Sequence, residues 1–301
     1  MIIEMCKKIE KFKKTCYNKI IRRDCVKTLI ISDLDGTLLT GRERISDYSL
    51  KELNELIAQG LSFTYATARS YNSASRACEG LGQRLPVILY NGALILDPEG
   101  KRRLYSGCFN RGQVAFIREQ LVRGGIPPLV YSFCEDRECV SWQEGKETAG
   151  ILRYLSRRRG DPRLRPVKDF EKLFEGEIFY VTCIDEKSRL DDLNEAVEKS
   201  LDLRSIYEQE VYQTDYWCEI MPQTTSKGAA ARFLADYLGM ERIVAFGDAP
   251  NDISLFAAAD EGYAVKNADE SLKAVATGVI GYSEEDAVVK HIRAHIDEYI
   301  R

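Results

Sequence analysis

The sequence lacks several features that would define large classes of protein. No run of apolar residues approaches the ~18 that a membrane-spanning helix requires, so we expect no membrane span. Lys and Arg total 43 against 47 Asp and Glu, and the absence of a basic excess argues against a nucleic-acid-binding protein. Only two histidines are present, His291 and His295, without a CxxC pair, so a zinc site is not expected.

Nine cysteines are scattered through the 301 residues without a regular spacing. An odd number of unpatterned cysteines indicates reduced thiols, and hence a cytoplasmic protein. At the usual ~100–200 residues per domain, the length indicates two domains. We expect a soluble monomer or homodimer.

The first 27 residues differ in charge from the rest. They contain nine Lys or Arg against three acidic residues, and apolar side chains recur at helical spacing. This pattern predicts a basic amphipathic helix in an N-terminal extension, residues 1–25. A membrane-surface or partner contact is one interpretation. Packing on the neighbouring domain, or fraying, is the other.

The alternation of strands and helices predicts the fold class. Short apolar runs at 26–32, 61–66 and 87–90 alternate with helical segments at 46–59 and 70–81, where Ser46 is the expected N-cap. Further helices at 227–238 and 251–259 flank a strand at 242–246. This rhythm predicts an α/β fold with a doubly wound, Rossmann-like parallel sheet.

The pattern changes between residues 110 and 218. Helices at 111–123, 146–158 and 188–200 alternate there with strands at 129–133, 138–142, 178–184 and 216–221. We interpret this block as an α+β cap, 110–218, inserted into a core formed by 26–109 and 219–301. Two domains in linear succession are the alternative.

Acidic residues follow the predicted parallel strands. Asp33 and Asp35 come after the first strand, and Asp248 and Asp252 after the strand at 242–246. The carboxyl ends of parallel strands share the edge where ligands bind. Four carboxylates there would repel one another, and oxygen ligands without His or Cys suit Mg²⁺.

At this point the sequence resembles the haloacid dehalogenase-like phosphohydrolases. Asp33-Leu34-Asp35-Gly36-Thr37-Leu38 resembles their first motif and Ala66-Thr67-Ala68-Arg69 their second. Lys227-Gly228 resembles the third motif, and Gly247-Asp248-Ala249-Pro250-Asn251-Asp252 the fourth. A large insert between the second and third motifs, together with Asn91-Gly92-Ala93, is typical of the Cof-type subfamily.

The resemblance implies a Mg²⁺-dependent phosphatase and assigns a role to each motif residue. Asp33 would be the nucleophile that forms an aspartyl-phosphate, and Asp35 the acid and base. The metal ligands would be the carboxylates of Asp33 and Asp248 and the backbone carbonyl of Asp35, with Asp252 holding a metal-bound water or orienting Lys227. The residues expected to bind phosphate or substrate are Thr67, Ala68, Arg69, Lys227 and Asn251; a structural ion pair is an equal alternative for Arg69.

The substrate implied is a small phosphorylated metabolite, with a sugar phosphate as the usual case. A run of arginines between 153 and 165 could attract an anion, although a solvated helix face explains the run more simply. A sugar phosphomutase, or a non-catalytic binding protein on the same fold, are the alternative functions.

Overall fold

The computed structural model describes residues 26–135, 137–209 and 214–300. The basic helix predicted for residues 1–25 therefore lies outside the described residues. Among the helices of the described ranges, none combines the length and the apolar character that crossing a membrane requires.

Within the described residues the strands are β1 (Thr28–Ser32), β2 (Ser62–Tyr65), β3 (Val87–Leu89), β4 (Leu94–Leu96), β5 (Arg103–Ser106), β6 (Pro128–Cys134), β7 (Arg137–Gln143), β8 (Leu164–Val167), β9 (Glu177–Asp185), β10 (Leu203–Gln209), β11 (Tyr216–Pro222), β12 (Arg242–Gly247), β13 (Glu261–Ala264) and β14 (Gly278–Val279).

The α-helices of the same ranges are α1 (Asp47–Ala58), α2 (Tyr71–Ala77), α3 (Arg111–Gly124), α4 (Ala149–Ser156), α5 (Lys187–Glu198), α6 (Lys227–Leu238), α7 (Ile253–Ala258), α8 (Glu270–Lys273), α9 (Ala287–Ala294) and α10 (Ile296–Tyr299).

A parallel sheet of five strands forms the centre of the molecule, in the order β14–β13–β12–β1–β2. All five residues of β1 are buried, which requires cover on both faces of the sheet. Their β-branched and leucine side chains suit such a doubly covered strand. The predicted α/β class with a parallel core is confirmed.

The local signals around α1 are also borne out. The side chain of Ser46 accepts a hydrogen bond from the backbone N–H of Ser49, so Ser46 is the N-cap that the sequence predicts. Helix α2 is shorter than expected and ends at Ala77, because the chain turns soon afterwards through Gly80 at a φ of +86°.

The third predicted strand joins the central sheet only weakly. Strand β3 touches the end of β2 through a single parallel bridge between Ala66 and Ile88. Its main partner is β4, which runs antiparallel and pairs in turn with β5. The segment therefore turns back into a small three-stranded sheet instead of extending the parallel one.

The second sheet has six strands in the order β10–β11–β9–β6–β7–β8. All neighbours are antiparallel except β7 and β8. Two of these strands were not predicted: β8, which is short and contains Pro166, and β10, in which polar side chains obscure the alternation. Helix α4 begins later than predicted, since Thr148 accepts a hydrogen bond from the N–H of Ile151 and caps that helix.

The expected helix at 251–259 is divided. Residues Pro250–Asp252 form a tight helical turn, and α7 begins only at Ile253. The tight turn orients the side chain of Asp252 toward backbone N–H groups of its own loop.

The side chains of β6 alternate between two apolar cores. Leu129, Tyr131 and Phe133 join the core that contains the central sheet, whereas Val130 belongs to a smaller core with α3 and α5. The ring of Tyr90, from the loop after β3, meets that of Tyr131 at a centroid distance of 5.4 Å. The two sheets are thus held together by apolar and aromatic packing.

Helix α6 packs closely against α7 at Gly228, and a substitution there tests this contact. A Cβ atom at Gly228 would lie 2.0 Å from the carbonyl oxygen of Ser254. We expect Gly228→Ala to lower the free energy of unfolding by about 1–3 kcal/mol, because the helices must separate. Urea denaturation would measure this.

Gly112→Ala is the matched control, because Gly112 is exposed in α3 and a methyl group there meets only a side-chain oxygen at 3.3 Å. The control should keep or slightly raise the stability. Equal stability of the two variants would contradict the packing described here.

Candidate active site

The carboxyl ends of β1, β2 and β12 meet at one edge of the central sheet. Asp33 follows β1, Thr67 lies two residues beyond β2, and Asp248 follows β12. Strand β1 is parallel to both of its neighbours, so the three residues share this edge, as predicted. The N–H of Asp33 also donates to the carbonyl of Phe246 at 2.9 Å.

A buried ammonium group bridges two of the predicted site carboxylates. The Nζ of Lys227 lies 2.6 Å from Oδ1 of Asp33 and 2.7 Å from Oδ1 of Asp252. Lys227 is only 1% exposed and is the first residue of α6. Ser226 fixes this position, since its side chain accepts a hydrogen bond from the N–H of Ala229 and caps the helix.

Three carboxylates form a compact cluster around this ammonium. Asp33, Asp248 and Asp252 each offer an oxygen, and these oxygens all lie within 4.8 Å of one another. Oδ2 of Asp252 accepts from the N–H groups of Asp248 and Ala249, at 3.0 and 3.2 Å. The hydroxyl of Thr37 donates to Oδ1 of Asp248 at 2.9 Å. Backbone and side-chain donors thus hold the carboxylates in place.

Two glycines give the cluster its space. Gly36 has a φ of +73°, and a Cβ atom there would lie 2.2 Å from Oδ2 of Asp248. A Cβ atom at Gly247 would lie 2.7 Å from the side chain of Asp252. The glycines of the first and fourth motifs therefore allow the backbone to approach the acidic side chains closely.

Burial and the neighbouring charges shift the pKa values of groups in the cluster. Burial raises the pKa of Asp33 well above its ordinary value; Asp252 and Asp248 add to the rise, and Lys227 opposes it. Burial, followed by the charge of Asp252, raises the pKa of Asp248 to about 6. Burial alone would lower the pKa of Lys227, but Asp252 and Asp33 raise it, so the amine stays protonated.

The cluster suits a divalent metal ion. Its donors are carboxylate oxygens, which hard cations prefer, and one ammonium offsets only one of the three negative charges. A divalent cation would offset the other two. The carboxylate of Asp35 is not part of this cluster, and its backbone carbonyl remains a predicted ligand.

The side chain of Asp35 is held instead by Arg69. Nε of Arg69 donates to Oδ2 of Asp35 at 2.7 Å, and Nη2 donates to Oδ1 at 2.5 Å. Arg69 also pairs with Glu43 at 3.1 Å. Arg69 thus forms an ion pair, which is one of the two roles predicted for it. The bidentate geometry orients the carboxylate of Asp35. The Asp35 side chain stays 51% exposed.

The loop after β2 contains Thr67 and Ala68, two of the residues predicted to bind phosphate. Thr67 is fully buried, and its hydroxyl oxygen accepts a hydrogen bond from the N–H of Arg69 at 3.1 Å. Ala68 is exposed between them. Within the described residues neither Thr67 nor Ala68 hydrogen-bonds to the acidic cluster, and their binding of phosphate remains a prediction.

A chain of amide groups connects the fourth motif with the second sheet. Nδ2 of Asn251 donates to Oδ1 of Asn91 at 3.0 Å. Nδ2 of Asn91 in turn lies 2.9 Å from the hydroxyl of Tyr180 and 3.3 Å from Oε2 of Glu219. The side chain of Asn251 is therefore oriented by a residue whose other partners belong to the second sheet.

The sequence analysis assigned no role to two glutamates of the second sheet. Burial raises the pKa of Glu219 to about 7, and Glu208 adds to the rise. The pKa of Glu208 is also raised, by desolvation and by the charge of Asp252, with Lys227 opposing. The charges of the cluster therefore act on Glu208, whereas Glu219 is connected to the fourth motif through Asn91 and Asn251. Their strands carry no motif, so only the folded topology identifies them.

Comparison with known proteins agrees with this geometry. A family model described as haloacid dehalogenase-like hydrolase matches residues 30–292. The 5-amino-6-(5-phospho-D-ribitylamino)uracil phosphatase YwtE of Bacillus subtilis is 26% identical over 287 residues, covering 87% of this chain and 96% of that protein. The crystal structure of TM0651 from Thermotoga maritima superimposes with a TM-score of 0.72 at 23% identity, covering 89% of this chain and 97% of that one.

A longer protein also matches. The chloroplastic endoribonuclease YBEY of Arabidopsis thaliana is 28% identical over 278 residues. The match covers 87% of this chain but only 45% of that protein. The chain thus spans less than half the length of this relative.

The bridge made by Lys227 leads to a stability prediction. We expect Lys227→Met to lower the free energy of unfolding by about 3 kcal/mol when metal is chelated, because two buried carboxylates lose their counter-charge. Chemical denaturation in EDTA would measure the loss.

The control is Lys199→Met, which breaks a pair with Glu195 in which both side chains are more than half exposed. Exposed pairs contribute little, so this variant should match the parent protein. A loss at Lys227 no larger than that at Lys199 would contradict the buried bridge.

Proposed function

The chain belongs to the haloacid dehalogenase-like hydrolase family and is a phosphatase, and from this membership we propose a mechanism and a substrate class. It hydrolyses the phosphate ester of a small metabolite, with Mg²⁺ as cofactor and a phosphoaspartate on Asp33 as intermediate. The observation that carries the proposal is the position of Asp33: a buried carboxylate at the carboxyl end of β1, 2.6 Å from the ammonium of Lys227.

Asp33 is the proposed nucleophile. One carboxylate oxygen attacks the phosphorus atom, the bond from phosphorus to the ester oxygen breaks, and the alcohol leaves with a proton. A water molecule then attacks the phosphorus of the phosphoaspartate, which releases inorganic phosphate and restores the carboxylate. The contact with Lys227 supports this role, because it fixes the carboxylate and reduces its repulsion of the incoming phosphate.

The metal ion would be held by Asp33 and Asp248, with Asp252 beside them and the carbonyl of Asp35 as the remaining predicted ligand. When bound, Mg²⁺ neutralises charge on the phosphoryl group and on the carboxylates around it. Lys227 would contribute its positive charge to the same phosphoryl oxygens. Asp252 orients this lysine through the 2.7 Å contact.

Asp35 is the proposed acid and base. It would give a proton to the leaving oxygen and later accept one from the attacking water. In this structure Arg69 binds both oxygens of the half-exposed Asp35 carboxylate, so the proposed acid step requires one of these oxygens to be released from Arg69. Arg69 acts here as a positioning residue.

The remaining motif residues would bind the phosphoryl group and the substrate. Thr67 and Ala68 form the loop that follows β2 at the same edge, and backbone N–H groups in such loops bind phosphate oxygens. Asn251 is positioned by Asn91, so its amide has a fixed orientation next to the cluster.

The segment 110–218 is the proposed cap, and 26–109 with 219–301 the proposed core. Asp252 and Lys227 act on Glu208 of the second sheet, and Glu219 of the same sheet contacts Asn91. Both observations support the idea that this sheet covers the site and selects the substrate. A sugar phosphate is the proposed substrate class; the relative YwtE is named for a phosphorylated ribityl compound. The cysteines of the described residues are free, which supports a reducing compartment, the cytoplasm.

A phosphomutase would use the same nucleophile but return the phosphoryl group to a bound sugar. It would release inorganic phosphate slowly and would require a sugar bisphosphate. A non-catalytic protein on this fold would release none. The complete set of charged motif residues favours hydrolysis over a binding role.

Asp33→Asn tests the proposal directly. We expect release of inorganic phosphate from a panel of phosphorylated metabolites to require Mg²⁺, to stop in EDTA, and to fall at least 1000-fold in this variant. One nucleophilic oxygen is lost at nearly constant volume, so the fold should persist, which circular dichroism would verify.

The matched control is Asp192→Asn, which changes an exposed residue of α5 and should keep the parent turnover. Substantial turnover of Asp33→Asn would rule out Asp33 as the nucleophile. Conversion of a sugar monophosphate into its positional isomer, activated by a trace of the bisphosphate, would favour the phosphomutase.

A further inference from the structure

A basic cleft lies beside the proposed active site, and the mechanism above does not use it. Its volume is about 710 Å³, within the range of ~300–1,000 Å³ that is usual for small-molecule sites. The loop before α1, helix α2 with the two residues before it, and the segment that follows α4 line it together. We call it the arginine cleft and define it by Arg42, Arg44, Arg76, Arg157 and Arg158.

The cleft carries a large excess of positive charge. Its lining contains seven arginines but only two acidic residues, Glu43 and Asp161. These two acids already have partners, because Glu43 pairs with Arg69 and Asp161 pairs with Arg163. Within the described residues the lining therefore provides no carboxylate to Arg42, Arg44 or Arg76.

Three of the five are well placed to receive an anion. Within the described part of the chain, the guanidinium groups of Arg42, Arg44 and Arg76 form no ion pair, and all three residues are exposed. Arg76 makes one hydrogen bond, from Nε to the carbonyl of Asn72. Guanidinium groups that lack carboxylate partners are ready to bind phosphate or carboxylate in a bidentate manner.

The arginine run at 153–165 contributes both to ion pairs and to the cleft. Arg153, Arg163 and Arg165 pair with acidic residues of the second sheet or its loops. Arg157, Arg158 and Arg163 line the cleft, and the guanidinium of Arg158 lies 3.7 Å from the ring centre of Tyr154. The preferred interpretation of this run as a solvated face is therefore incomplete.

The cleft borders Arg69, the residue that holds Asp35. Arg69 is part of its wall and also binds both carboxylate oxygens of Asp35. Asp35 is the group proposed to protonate the leaving oxygen, so under the proposed function the leaving group would approach the wall of the cleft that Arg69 forms. A substrate extending from the site past Arg69 would place its far end among the cleft arginines.

We propose that the arginine cleft binds a second anionic group of the substrate. The preferred substrate is then a phosphate monoester that carries a further phosphate or carboxylate at its other end. This inference rests on the proposed function, since it assumes that Asp33 cleaves the ester. It adds a substrate class that the motif residues do not define.

Matched substrates test the proposal and distinguish the two kinds of anion. Glycerol phosphate and phosphoglycerate differ by one carboxylate, and a hexose monophosphate and its bisphosphate differ by one phosphate. We expect kcat/KM to be at least tenfold higher for the doubly anionic member of one pair. That preference should decline as ionic strength rises, because salt screens exposed charges.

The double variant Arg42→Gln/Arg76→Gln should reduce this preference ratio about tenfold. Arg123→Gln is the control, because Arg123 is an exposed residue of α3 outside the cleft, and it should leave the ratio unchanged. Thermal unfolding of each variant would verify that the fold is kept.

Failure of this inference differs from failure of the proposed function. Equal kcat/KM values for both members of each pair would overturn the cleft proposal and leave the phosphatase intact, as would a ratio that the double variant does not change. Absence of Mg²⁺-dependent hydrolysis for every substrate would overturn both proposals.

Discussion

The ammonium of Lys227 is the contact on which the rest of the site depends. It joins Asp33 at the end of β1 to Asp252 in the loop after β12, at 2.6 and 2.7 Å. All three side chains are almost fully buried. Buried carboxylates are costly without a counter-charge, so the two loops can approach each other only because the first turn of α6 places a lysine between them.

This requirement constrains the topology of the chain. Strands β1 and β12 are neighbours in the sheet but are separated by more than 200 residues, so the intervening chain can build a second sheet without disturbing their pairing. The chain returns from β11 into α6, whose first residue is Lys227. The segment that forms the second sheet therefore ends just before Lys227, the residue that completes the acidic cluster. This connection places the second sheet where it can contact the site.

The sequence predicts those parts that depend on local signals. The ends of buried parallel strands locate Asp33 and Asp248, and motif spacing links Lys227 to them. Contacts between the two sheets do not depend on local signals. The approach of Glu219 to Asn91 depends on the register of β11 with β9, and Arg42 meets Arg157 in one cleft only because a loop before α1 packs near the end of α4. No pattern within either segment contains that information.

The placement of the charges separates two tasks. Asp33, Asp252 and Lys227 are buried and paired with one another, which fixes geometry for a reaction that needs precise positioning. In the arginine cleft the side chains are long and mostly exposed. Their guanidinium groups can adjust to anions of different shape at little cost to the fold. Arg69 lies between these regions, because it contacts Asp35 on one side and the cleft on the other. A change in the cleft can therefore alter which substrate is selected while the buried cluster that performs the chemistry stays the same.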